Sequence, residues 1–84
     1  MNSSIGGNKI KDIVDNQGKY SGTEVTVSGK VIGETALGYM INDGTANISV
    51  ISGTIPAMDE EVSVNGIVGV SPFGDVFIDT RLKK

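Results

Sequence analysis

The side chains best suited to chemistry in this chain are carboxylates, and their spacing does not assemble a catalyst. Asp59, Glu60 and Glu61 stand in a row. That offers oxygen ligands to a hard cation, but three adjacent carboxylates in a loop need further partners to converge on one ion, so a solvated acidic loop is the favoured reading. Asp43-Gly44-Thr45 also presents oxygens, yet Asp and Gly are what a hairpin turn requires, and the turn is preferred. No pair of carboxylates stands out for acid–base work, and Gly6-Gly7 lacks the Lys-Ser/Thr or GxGxxG context of a phosphate loop. His and Cys are both absent, which removes imidazole bases, thiolate nucleophiles, disulfides and the common soft-metal sites. No catalytic residue, metal or cofactor is expected, and the chain reads as a binding module and not an enzyme.

Binding chemistry has better candidates. Phe73 sits at the tip of Ser71-Pro72-Phe73-Gly74, where an aromatic ring has little core reason to be. Either it stacks on a base or touches a partner, or it folds back as a lid on the end of the core. Phe77 and Arg81 share a phase further along, and Lys30, Arg81, Lys83 and Lys84 are the candidates for a basic patch. The duller alternative for the last two is a charged tail that keeps the protein soluble.

The elements that must hold these residues follow from periodicity. Met1 to Asn8 is small and polar with paired glycines and reads as a flexible tail. Asn8 then stands where a helix cap belongs. Ile10, Ile13 and Val14 form one apolar stripe over about two turns, ended by Asn16 and Gly18. From Glu24 the period becomes two, with Val25, Val27 and Val31 on one face and Thr26, Ser28 and Lys30 on the other. Gly33 to Ala36 reads as a loop. A second strand carries Leu37, Tyr39 and Ile41 inward, and after the turn at Asn42 to Thr45 a third carries Ile48 and Val50. Tyr39 is therefore core rather than a stacking platform, while Met40, Asn42, Asn47, Ser49 and Ile51 face outward. Ser52 to Glu60 is a loop with at most one helical turn. Val62, Val64, Val68 and Val70 share a face of the fourth strand, and Val76, Ile78 and Leu82 a face of the fifth. Gly29 and Gly66 interrupt the inward faces of strands one and four, which predicts strong bends or bulges there. The expected core is Val25, Val27, Val31, Leu37, Tyr39, Ile41, Ile48, Val50, Val62, Val64, Val68, Val70, Val76 and Ile78, capped by Ile10, Ile13 and Val14.

Three stretches carry a resemblance: Glu24-Val25-Thr26-Val27-Ser28-Gly29-Lys30-Val31, Tyr39-Met40-Ile41-Asn42-Asp43-Gly44-Thr45-Ala46-Asn47-Ile48 and Glu61-Val62-Ser63-Val64-Asn65-Gly66-Ile67-Val68. Their order resembles the oligonucleotide/oligosaccharide-binding (OB) fold superfamily, especially the anticodon-binding-like branch found in single-stranded DNA-binding proteins, tRNA synthetases and domains appended to nucleases. Small extracytoplasmic OB domains look similar too. The resemblance implies an all-β, five-stranded OB-type Greek-key barrel over residues 9–84, with residues 1–8 as tail. Two departures stand out. Ala46 occupies a position where glycine is frequent, and the usual helix between strands three and four shrinks to Thr54 to Glu60, so the helix at Ile10 to Asn16 is expected to close the barrel bottom in its place.

OB domains bind on the outer surface of strands two and three and on the loops joining strands one to two and four to five. On this resemblance the nucleic-acid-binding residues are Lys30, Met40, Asn42, Asn47, Ser49, Phe73, Phe77 and Arg81. Phe73 and Phe77 would stack, Lys30 and Arg81 would meet phosphates, and Asn42 and Asn47 would read base edges. The expected function is weak binding of single-stranded DNA or RNA, within a larger protein or alone. A protein- or small-ligand-interaction domain is the alternative, using Met40 and Ile51 or a sheet edge. Ten acidic against seven basic residues give a net charge of −3, which opposes tight binding through phosphates. No stretch approaches the ~20 apolar residues of a membrane span, and Met1 to Lys9 lacks the apolar centre of a secretory signal. Localisation stays open, cytoplasmic if the ligand is nucleic acid.

Overall fold

A computed structural model describes residues 8–82, so residues 1–7 of the expected tail, and Lys83 and Lys84, lie outside it. The Val- and Ile-rich alternating segments form β1 (Glu24–Thr35), β2 (Gly38–Asn42), β3 (Asn47–Ile51), β4 (Glu61–Val70) and β5 (Val76–Asp79). They close into a barrel in the order β1-β2-β3-β5-β4, with β3 and β5 parallel and every other pair antiparallel. This is the five-stranded OB-type Greek-key barrel that the strand pattern leads one to expect. No helix among the described residues is long and apolar enough to cross a membrane.

Closure depends on β1. It pairs with β4 from Glu24 to Lys30 and with β2 from Lys30 to Thr35, so one strand serves both halves. Of the expected bends or bulges, neither glycine carries a bulge in the β1–β4 pairing: that register runs unbroken through both, and the irregularity falls between Val31 and Gly33. The two glycines answer a different demand. A Cβ on Gly66 would lie 2.6 Å from the Asp79 carbonyl oxygen, and one on Gly29 would lie 2.8 Å from that of Asn42. Each admits the end of another strand closely over the inward face.

Val25, Val27, Val31, Tyr39, Ile41, Ile48, Val50, Val64, Val68 and Ile78 are buried, as the alternation requires. Val62 and Val76 are half-buried against this cluster, and Val70 is half-buried too. Leu37 departs from expectation. β1 continues through the supposed loop to Thr35, which moves Leu37 onto the hairpin turn and leaves it 67% exposed. Strand five is shorter than its expected run to Leu82: β5 stops at Asp79, and a 3-10 turn over Thr80–Leu82 leaves Leu82 exposed.

The N-terminal segment plugs the barrel. α1 (Ile10–Asp15) buries Ile10 and Ile13 completely, with Val14 half-buried beside them. Full burial of such a side chain is worth about 1.5–3 kcal/mol, and a helix this short needs that contact to persist. A second helical turn, α2 (Gln17–Tyr20), follows beyond the break at Asn16. Asn8 does not cap α1. Lys9 holds the cap position without a side-chain bond, while the Asn8 amide donates to the Thr26 carbonyl, 2.8 Å away, and so belongs to the barrel and not to the tail.

Candidate nucleic-acid interface

The cap comes from the β2–β3 turn instead. The amide of Ile10 donates to Asp43 Oδ2 at 2.9 Å and that of Lys11 to Thr45 Oγ1 at 3.1 Å. Asp43 Oδ1 accepts from the Thr45 amide, the Thr45 hydroxyl and the Ala46 amide. Burial opposes the charge on Asp43, but these hydrogen bonds outweigh it and hold the carboxyl below its usual pKa. Asp43-Gly44-Thr45 is thus a turn, as read, and also the clamp between barrel and helix. Its three side-chain oxygens are all engaged within the fold.

Register places the candidate residues in two rows on the outer face. Met40 lies opposite Ser49, and Ser49 opposite Phe77. Lys30 lies opposite Asn42, and Asn42 opposite Asn47. Within the second row Asn42 Nδ2 donates to Asn47 Oδ1 at 2.6 Å and Asn42 Oδ1 accepts from the Gly44 amide, so part of this pair's capacity is spent locally. Lys30 also faces Glu61 across the β1–β4 register. The Phe77 ring lies over Gly69, where a Cβ would come within 2.5 Å of it, so the ring is half-buried and one side is occupied.

Arg81 stands apart from these rows. Its Nε and Nη2 donate to the two oxygens of Asp79, each at 3.0 Å, and Asp79 is only 4% exposed. The Arg81 hydrogen bonds, against the opposing effect of burial, hold the Asp79 carboxyl below its usual pKa. The guanidinium therefore pins the C-terminal turn and has its charge offset by Asp79, while the side chain stays 66% exposed. Among the described residues its pair and Lys11–Asp15 are the two salt bridges.

Phe73 does not fold back as a lid. Ser71 organises the loop: its hydroxyl oxygen accepts from the amides of Phe73 and Asp75, its amide donates to the Asp75 carbonyl, and its carbonyl accepts from the Gly74 amide. Gly74 takes a φ of 89°, which favours glycine. The tied loop holds the Phe73 ring outward, 91% exposed.

Between this loop and the β1–β2 turn runs a mostly apolar groove of about 360 Å³. Ala36 and Leu37 line one side, Val76 and Phe77 the other, and Val50 and Ile51 of β3 the floor, with Thr35, Ser49, Ser71 and Asp75 as polar members. Leu37 and Asp75 are the residues that sequence reasoning missed. Leu37 matches an inward phase, and Asp75 falls between the Ser71 to Gly74 turn and the fifth strand, with no role read for it. The only sequence signal for Asp75 is its position two residues before Phe77. Among the described residues no three His, Cys, Asp or Glu side chains come together in a way that holds a metal ion. Comparison with known proteins adds nothing further: no protein-family description matches the chain, and no curated protein or solved structure matches significantly.

Proposed function

We propose that this domain is a non-catalytic binding module for single-stranded nucleic acid, holding bases more than phosphates. The observation that carries the reading is the outward Phe73 ring on a loop already fixed by Ser71, bordering the face where Met40, Asn42, Asn47, Ser49 and Phe77 stand in adjacent rows. A pre-ordered exposed ring stacks on a base with little ordering cost. The scarcity of free cations on this face argues that charge contributes little. Membership of the OB superfamily is part of the same proposal, supported by the strand order and by the position of the face. The test is a titration of labelled protein with short single-stranded DNA and RNA at low salt, read by backbone amide shifts. Shifts along Met40–Ile51 and Ser71–Phe77 support the reading, and none at millimolar oligonucleotide rejects it.

An extended protein segment is the second reading. It is favoured by the apolar lining of the groove and by exposed Leu37 at its edge. Shifts at Leu37 and Val76 with an apolar peptide, and none with oligonucleotides, would select it.

A further inference from the structure

We infer that Asp75 makes the groove selective for nucleobases whose edge donates hydrogen bonds, with guanine preferred; this rests on the nucleic-acid reading above. Asp75 is exposed and borders two hollows. One is the apolar groove beside Leu37 and Phe77, and the other lies beside Met40, Asn47 and Ser49. Its carboxylate accepts no hydrogen bond and pairs with no cation among the described residues, whereas its main chain is fixed by the Ser71 amide and hydroxyl. An ionised carboxylate is acceptor-only. Held at the rim of an apolar groove, it repels phosphate and rewards a flat ligand that brings donors.

Base chemistry then sets the order. Guanine presents N1–H and the N2 amino group side by side, two donors that match the two oxygens of a carboxylate as a guanidinium fork does. Hypoxanthine keeps N1–H and lacks the amino group. Uracil has one N–H between two carbonyl oxygens, and those oxygens face the carboxylate unfavourably. The apolar walls of Leu37, Val76 and Phe77 supply contact area for any base. Discrimination therefore falls to Asp75, and a bidentate pair of this kind is worth about tenfold or more in affinity.

The experiment titrates the full chain with the RNA tetramers UUGU, UUIU (I, inosine) and UUUU at low salt, alongside an apolar tetrapeptide containing one arginine. The expected order is UUGU tighter than UUIU, and UUIU tighter than UUUU, with about tenfold or more between the extremes. In Asp75→Asn the ratio should collapse toward one. That variant also loses a unit of negative charge, so the ratio and not the absolute affinity is the readout. Because the Asp75 side chain makes no bond within the described fold, its amide spectrum should otherwise match wild type. Equal affinities for the three tetramers, or a guanine preference that survives Asp75→Asn, would overturn the inference and leave the nucleic-acid reading standing. Binding of the peptide alone, with no tetramer bound at millimolar concentration, would overturn both.

Discussion

Asp43 shows how far a residue's job exceeds its local signal. Its place in an Asn-Asp-Gly-Thr run marks a turn, and that much is readable from spacing. That its second oxygen caps a helix 33 residues away is a tertiary fact that no window of sequence contains. Asp43→Ala removes every one of these acceptor bonds and should destabilise the protein by about 2 kcal/mol in chemical denaturation. Because the folded pKa is lowered, this contribution is complete above the unfolded value of ~3.9 and disappears as the pH falls through the folded value. The gap between wild type and Asp43→Ala should narrow correspondingly below about pH 4, and a gap independent of pH would show that the charge plays no part. Arg81 carries the opposite lesson. A basic residue in the outward phase looks like a phosphate contact, but buried Asp79, two residues earlier, claims it through the 3-10 turn that ends β5.

At the level of elements, period-two alternation was enough to read all five strands and ten of the buried strand residues, because each strand has one face on the core. It failed where phase loses its meaning. The irregularity between Val31 and Gly33 lets β1 run on to Thr35, so the turn comes later and Leu37 leaves the core. Gly66 was legible as an anomaly but not as the right one, since a close backbone approach and a bulge leave the same gap in a valine pattern. Gly66→Ala should cost about 1–3 kcal/mol by pressing on the Asp79 backbone. Gly18→Ala in α2, with open space around its Cβ position, should be neutral or stabilise by up to ~1 kcal/mol. Equal effects at the two sites in thermal melts would refute the packing argument. The helical plug is a third case: Ile13→Ala should cost about 2–5 kcal/mol, since Ile13 is fully enclosed.

For the molecule as a whole, part of the polar chemistry is spent on holding the barrel together. The Asp43 clamp holds α1 and the Arg81–Asp79 pair the turn after β5, and the outer face keeps an exposed ring, a carboxylate and few cations. The net charge of −3 was legible at once, whereas the distribution of charge depended on which cations the fold had already engaged. If bases rather than phosphates carry the affinity, the logarithm of the binding constant should fall with the logarithm of salt concentration with a slope no steeper than about −1. The most direct measurement is the dissociation constant of a mixed-sequence single-stranded hexamer at low salt for wild type, Phe73→Ala and Lys30→Gln. Stacking on Phe73 is worth ~1–3 kcal/mol, so Phe73→Ala should raise the dissociation constant by roughly tenfold to a hundredfold, with stability unchanged, while Lys30→Gln should alter it only a few-fold. A larger loss from Lys30→Gln than from Phe73→Ala, or no binding by wild type, would contradict the account.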